Sequence, residues 1–509
     1  MVNRITGFSN VFDIDEIVSK LMKTEQAPLD KMTRQKQTLE WQRDSYREVN
    51  SKIKELDDLI NSLNLTRPST YGAKKVTSSN ESAVTATGST NATSGSIHVT
   101  QLATASVFKS SGTSGFTPTN GTFTFEVTTP DSTKPKTVTI NTSDTDTIDD
   151  IVKKLNGAQL GVTAYKGQIS DGTNYVDTIA LTSRTTGEGV SIKAADGNSA
   201  SFFTQLGFQV DGDNKLVATT QGQKAQYEIN GLKMENNNNT FTQADITYEL
   251  KATTDKPVSL NVSTDVDAIY DKIKQFVDKY NELVEQINGK VNEKKNRDYH
   301  PLTAEEKKAM SEKEIELWET TAKSGLLRSD SILRSGASKI RSDLYANITT
   351  SDANKIQLTQ IGISTSSSYK DGGKLEFIKD SDGVEKLKKA IEEDPEKVRQ
   401  MFISGSLNVD SKDKDKAQQQ YQEQGIIYRI KNSLSDFSKS IQKKAGSITM
   451  ESKEYGLGKD LDSLTKRMST FQDRLKMVEA RYYKKFNAMD SAIQKLNNQS
   501  GYLSQLLGQ

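Results

Sequence analysis

The chain has no cysteine in its 509 residues, which excludes disulfide staples, thiolate nucleophiles and sulfur-ligated metals. Histidine is nearly as scarce. The two present, His98 in a predicted strand and His300 before Pro301, offer no histidine metal cluster, and isolated structural or surface roles are the simpler account. No stretch approaches the roughly 20 consecutive apolar residues that cross a bilayer. The opening MVNRITGFSNVFDIDEIVSKLM lacks an uninterrupted apolar run and carries Asp13, Asp15 and Glu16, so it does not read as a secretory signal. The expectation is a cytoplasmic protein, or one exported by a route without a cleaved signal. Nor is one sign of charge in excess. With 68 basic against 67 acidic residues the net charge is +1, and there is no bulk electrostatic case for nucleic acid or an anionic membrane. At 33% hydrophobic residues and a mean hydropathy of -0.66 the chain is lean in core side chains for its length, which suits an extended multidomain molecule better than one large globule.

What is present is most ordered at the two ends. Asp13 followed by Glu16 marks a helix entry, Phe12 and Ile17 form a staple across it, and a helix is expected to begin near Ile14. Apolar residues then recur at Ile14, Ile17, Leu21, Pro28, Met32, Leu39, Tyr46, Val49, Ile53, Leu56, Ile60 and Leu63, a heptad seam that Pro28 should kink or divide. The other end shows Leu461, Leu464, Met468, Phe471, Leu475, Val478, Tyr482, Phe486, Met489, Ile493, Leu496, Leu503 and Leu507. Consecutive four-residue steps at Tyr482 to Phe486 make a stutter, which unwinds a coiled coil locally without ending it. From Leu461 to Leu507 such a helix is roughly 70 Å long.

Between the ends the texture changes. From about Val76 to Ser263 the chain is rich in Thr, Ser, Gly and Asn and alternates with period two in GTFTFEVTT, KTVTIN, TIALTS, ITYELKA and VSLNVS. Two small β domains are expected, with TIDDIVKKLN as one inserted helix. Helical period returns at Val266 through Ile287, then in TAEEKKAMSEKEIELWE behind the capping pair Thr303 and Glu306, in DSILRSGASKIRSDL, in VEKLKKAIEED, and at Ile427, Ile430, Leu434, Phe437 and Ile441. A hairpin is expected in LTQIGISTSSSYKDGGKLEF. The fold class is α+β multidomain: terminal coiled-coil helices and a helical bundle domain carrying two inserted mostly-β domains. The expected division is 1–45 with 455–509 as a terminal coiled-coil leg, 46–75 with 265–454 as the helical domain, 76–110 with 222–264 as the first β domain, and 111–221 as the second. Long helices in water take most of their stability from tertiary contacts, so the terminal helices are expected to be loose alone and ordered in an assembly.

No constellation of catalytic residues emerges, and no metal site or cofactor is expected. TGEGVS at Gly187 and Gly189 lacks the third glycine of a dinucleotide loop, and GLGKD lacks the other glycine and the hydroxyl of a phosphate loop, having Lys453 and Asp460 in their places. Asp149 with Asp150 and Glu392 with Glu393 read as solvated helix ends. The aromatic stripe Tyr482, Tyr483 and Phe486 reads as packing, and with no intrachain layer on all sides, as subunit contact.

Taken in order, ITGFSNVFDIDEIVSKLMKTEQAPLDKM, GSIHVTQLATAS, TIDDIVKKLNGAQLGVTAYKG with IALTSRTTGEGVSI, AQYEINGLKM, VDAIYDKIKQFVDKYNELVEQIN and DYHPLTAEEKKAMSEKEIELWETTAKSGLL resemble the bacterial flagellar filament-capping protein family, hook-associated protein 2 or FliD. The likeness covers essentially the whole chain. One departure is Asn10–Val11, where members often have a small glycine-containing turn.

The resemblance implies a non-enzymatic, oligomeric cap at the distal filament tip that retains exported flagellin and promotes its folding and insertion. It implies an extracellular place on the flagellum, reached through the flagellar type III export route. The implied partners are other copies of the chain in a ring, usually pentameric with four or six subunits left open, flagellin, an export chaperone and hook–filament junction proteins. Nucleic acid and membrane insertion are not implied. The expected contact residues of the legs are Ile14, Ile17, Leu21 and Leu39 at one end and Leu464, Phe471, Leu475, Tyr482, Phe486, Met489, Ile493 and Leu496 at the other. Flagellin and junction proteins also pair terminal helices around β domains, but the large helical block after the β region argues against both. A secreted adhesin whose β domains bind host glycans is the alternative from another class.

Overall fold

The structure, a computed structural model, describes residues 13–507 apart from 131, 133, 171–173, 351–352, 369–370, 382 and 409–412. Phe12 of the expected staple and the Asn10–Val11 departure lie outside the described residues. The fold divides into two units, residues 1–71 with 267–509, and residues 72–266.

The first unit opens with α1 (Ile14–Ser62), whose N-cap Asp13 accepts from the Glu16 amide at 2.9 Å, and the short α2 (Pro68–Tyr71). Pro28 does not divide α1. Proline removes one intrahelical hydrogen bond, but Met22 before it and Leu29 after it pack into the same apolar cluster, and that shared contact carries the helix through. Residues 46–62 thus continue the same helix as residues 14–45.

In the second unit, strands β1 (Lys74–Ser78), β2 (Val84–Gly88) and β3 (Gly95–Gln101) are followed by β4 (Ala105–Lys109), β5 (Gly121–Thr128) and β6 (Lys136–Thr142). Helix α3 (Ile148–Gly157), strands β7 (Val162–Ser170), β8 (Tyr175–Thr186) and β9 (Ser191–Ala194), and helix α4 (Gly197–Gln205) come next. Strands β10 (Ala225–Ile229), β11 (Leu232–Asn236), β12 (Thr240–Gln243), β13 (Ile246–Leu250) and β14 (Val258–Thr264) close the unit. One antiparallel sheet of order β11-β10-β3-β14-β1-β2-β13-β12 encloses a core of Val84, Ile97, Val99, Tyr227, Phe241, Tyr248 and Leu260. Its outer strands approach through side chains, for Tyr227 of β10 stacks on Phe241 of β12 at 4.3 Å between ring centroids.

A second core is built from sheets β4-β8-β7 and β6-β5-β9 with both helices packed on them, and its centre is aromatic: Phe123 on Phe202 at 4.6 Å and Phe125 on Phe203 at 4.7 Å. Two features differ from expectation. The β region holds two helices, because Asp196 caps a glycine- and serine-rich segment that two adjacent phenylalanines draw onto the sheet. Strand β4, within the expected first β domain, instead pairs with β8 and buries Phe108 in the second core.

The first unit resumes with α5 (Val266–Asn292), which buries ten side chains from Ile269 to Val291. Next come α6 (Ala304–Lys308), α7 (Glu312–Lys323) and α8 (Ser331–Tyr345). The segment expected as one helix is two, since Ser311 and Glu314 form a second capping box that starts α7 afresh. Short strands β15 (Ile348–Thr349) and β16 (Lys355–Ile356) pair with each other, as do β17 (Ile363–Thr365) and β18 (Leu375–Phe377), the expected hairpin. Asn281 of α5 ties that hairpin down with both side-chain atoms, donating to the Leu375 carbonyl at 2.9 Å and accepting from its amide at 2.7 Å. Helices α9 (Lys386–Glu393), α10 (Pro395–Ile403), α11 (Lys414–Glu423), α12 (Ile426–Ala445) and α13 (Gly456–Leu507) complete the unit. Gly458 is where α13 passes under residue 452: a Cβ there would lie 2.1 Å from the Ser452 carbonyl.

Candidate interaction surface of the terminal helices

The two longest helices run antiparallel. Near the root of the pair, Arg47 of α1 lies over the Tyr455 ring at 5.5 Å and donates to the carbonyls of Ala445 and Ser447 at 3.1 and 2.9 Å. Toward the start of α1 the Tyr482 hydroxyl donates to Glu25 at 3.0 Å and the Tyr483 hydroxyl to Asp15 at 2.9 Å. Between these points Val18, Met22, Leu475 and Val478 are buried together, flanked by Ile14, Leu29, Phe471, Tyr482, Tyr483 and Phe486. The Glu25 carboxylate raises the pKa of the Tyr482 hydroxyl, because the bond would be lost on ionisation.

The buried stripe on α1 is Ile14, Val18, Met22 and Leu29, not the expected Ile14, Ile17 and Leu21. Two four-residue steps joined to one of three make an eleven-residue repeat of about 3.67 residues per turn, close to the roughly 3.6 of a straight helix. The same steps occur at Val478, Tyr482 and Phe486, so the stutter of one helix meets that of the other and neither has to supercoil through it. Val18, Met22 and Leu29 were the α1 residues missed, and the signal for the first two was the four-residue spacing from Ile14.

Of the twelve expected contact residues, Leu464 and Leu475 are buried within the chain. Ile14, Phe471, Tyr482 and Phe486 are brought together on the seam, while Ile17, Leu39 and Ile493 are half-buried. Leu21, Met489 and Leu496 point outward, the last 63% exposed, and Tyr502 and Leu503 beyond them are also exposed. The seam is therefore an intrachain contact at its centre, with apolar side chains left outside it toward the end of α13.

The rest of α1 is held far more firmly. Tyr46 is buried and donates to Asp330, the N-cap of α8; burial and that carboxylate both push its pKa up. Arg34 pairs with Glu306 at 2.7 Å, and Lys323 sits over the Trp41 ring at 5.0 Å. Each seam side chain contributes about 2 kcal/mol by burial. The seam cluster has four such residues and α5 ten, so the body is the stable part and the far end of the helix pair the labile one.

The two histidines have structural partners: His98 meets the Thr254 carbonyl at 2.9 Å and His300 meets Glu306 at 3.3 Å. Gly187 and Gly189 take positive φ in a turn. No group of three or more potential metal ligands occurs among the described residues.

The comparison with known proteins follows this layout. A profile of the flagellar hook-associated protein 2 C-terminus matches residues 222–498, one of its N-terminus matches 10–106, and the flagellin hook IN motif matches 122–185, which is the β5-to-β8 segment. A flagellar hook-associated protein 2 from Halalkalibacterium halodurans is 33% identical over 99% of both chains. The chain belongs to the flagellar hook-associated protein 2 family. The A-type hook-associated protein 2 of Pseudomonas aeruginosa is 28% identical over 99% of this chain and 97% of its own. A crystal structure of the flagellar cap protein FliD D1-D2-D3 domains from Escherichia coli shares the fold, with a TM-score of 0.52 at 22% identity, over 83% of this chain and 99% of that one.

Proposed function

We propose that this member of the hook-associated protein 2 family forms the oligomeric cap at the distal end of the flagellar filament, where it retains exported flagellin and promotes its folding and insertion. Full-length similarity to the family is the observation that carries the reading. The protein acts outside the cell on the flagellum, without catalysis, in a ring of identical subunits that we take as pentameric. It reaches the tip by the flagellar type III route, and the export chaperone and junction proteins are its further partners.

Residues 1–45 and 455–509 act as the legs, with Ile17, Leu21, Met489, Ile493 and Leu496 as contacts to neighbouring subunits or flagellin. The remaining expected contact residues, Ile14, Leu39, Leu464, Phe471, Leu475, Tyr482 and Phe486, keep each leg paired and shaped. A leg whose far end is held by a cluster of four buried side chains and two tyrosine–carboxylate bonds is suited to engaging a growing lattice and letting go again, since each contact is a modest seam.

The test is complementation of a deletion strain with the full chain or with a version lacking residues 455–509, comparing filament length and flagellin lost to the medium. Restoration by the full chain alone is expected. A deletion strain with normal filaments and no flagellin loss would overturn the cap reading and turn attention to the glycan-binding adhesin, which no observation on this chain favours.

A further inference from the structure

Helix α11, KDKAQQQYQE, has no buried residue, so no apolar face fastens it to the helical unit. Its fastening is polar and concentrated at one end. The Tyr421 hydroxyl donates to Asp343 Oδ1 at 2.6 Å, while the Arg429 guanidinium lies over the Tyr421 ring at 4.5 Å and the Lys339 ammonium over it at 4.8 Å. Asp343, on α8, is fully buried and also accepts from Lys339 and from Ser433 of α12.

Arg429, 1% exposed on α12, gives its donors only to backbone carbonyls. It reaches Tyr421 at 3.0 Å and Gln422 at 3.0 Å at the end of α11, and Ala346 and Asn347 at 2.9 Å with Asp343 at 3.5 Å at the end of α8. One guanidinium thus satisfies the orphan carbonyls of two helix C-termini, the end where a cation is favourable.

We propose that α11 is a latched helix, opening and closing as a unit on the helices beneath it, with Tyr421, Arg429 and Asp343 as the latch. Opening takes from Arg429 two of its carbonyls and from Asp343 one of its donors at the same moment, so intermediate positions leave buried charge under-paired and the motion is all-or-none. The flanks suit a hinge. At the last residue of α11, Ser404 Oγ donates to the Glu423 carbonyl at 2.6 Å, and just beyond it the Gly425 amide donates to the Ser404 carbonyl at 2.9 Å, anchoring this pivot to the end of α10 without using the latch. At its start Asp413 caps the Asp415 and Lys416 amides from within the helix, so α11 keeps its own N-cap when undocked.

Amide exchange of the full-length protein tests this in wild type, Tyr421→Phe, Arg429→Lys and a control, Lys416→Ala. In wild type, α11 is expected to exchange faster than α8 and α12. Tyr421→Phe keeps the ring and the buried arginine, and should speed exchange in α11 by about tenfold while α8 and α12 keep their protection. Arg429→Lys should do at least as much, and Lys416→Ala should match wild type. Unchanged α11 exchange in Tyr421→Phe overturns the latch, as does loss of protection in α8 and α12 together with α11 in that variant. Should Arg429→Lys fail to fold, Tyr421→Phe decides alone.

Discussion

Tyr483 near the end of the chain donates its hydroxyl to Asp15 near the beginning, 2.9 Å away and 468 residues apart in sequence. With Tyr482 on Glu25 it lies beside a seam of four buried side chains, so the terminal helices already form an intrachain pair. What remains for neighbours is the surface outside that seam.

Val478→Asp places a carboxylate among Val18, Met22 and Leu475. We expect about 3 kcal/mol of destabilisation confined to the helix pair, enough to open it. Amide exchange should accelerate across residues 14–30 and 471–486, with α5 and α12 unchanged. Equal loss in α5 would mean that leg and body unfold together.

Leu21→Asp and Leu496→Asp act on outward side chains. Stability should change by less than about 0.5 kcal/mol, whereas filament elongation should fall sharply in a complementation assay. Normal filaments from both variants would remove these residues from the contact surface.

Gly336→Ala tests the packing of α8 on α12. A Cβ at this position would come 2.4 Å from the Phe437 ring, which is buried. A loss of about 1–3 kcal/mol in unfolding free energy, read from a lowered denaturant midpoint, is expected, and none is expected if the helices can slide apart.

Asp150 closes the capping box of α3, and its bonds to the Thr147 side chain and amide, then Lys153, pull its pKa from 3.8 down to about 2. A carboxylate depressed in the folded state adds stability that is full above its unfolded value and is lost as pH falls through the folded one. Protection at the first turn of α3, taken relative to the unstructured exchange rate at each pH, should therefore fall as pH drops from about 4 toward about 2, and Asp150→Asn should remove Asp150's share of that dependence.

Tyr482 gives the opposite sign. Its pKa is raised by Glu25, so the stabilisation it provides is present throughout the neutral range and is lost as pH climbs through the raised value above 10.0. The helix pair should loosen in alkali in wild type. Tyr482→Phe should loosen it slightly at neutral pH and reduce the alkaline step.

Much of the architecture was legible because it is written in local chemistry. Asp13, Thr147 and Thr303 announce helix starts by side-chain oxygens placed to accept from the amide three residues on. Period-two runs announced β5, β6, β8, β13 and β14, since each strand shows one face to a core. The second start at Ser311 was equally local and was overlooked within an unbroken helical composition, as was the Asp394–Pro395 entry to α10. Helix α4 was hidden by its serines and glycine, and α11 by having no apolar face at all.

By itself, then, the sequence determined where most helices and strands begin, that both terminal regions are helical, and, through its run of matching segments, the family. Tertiary structure decided which residues share the terminal seam, that β4 joins β8, that α1 passes through Pro28, and that Arg429 spends a buried charge on carbonyls of two other helices. The physical reason is one of range. Caps and alternation are satisfied within a few residues, whereas a seam register or a buried guanidinium is fixed by whichever distant groups complete its burial and hydrogen bonding.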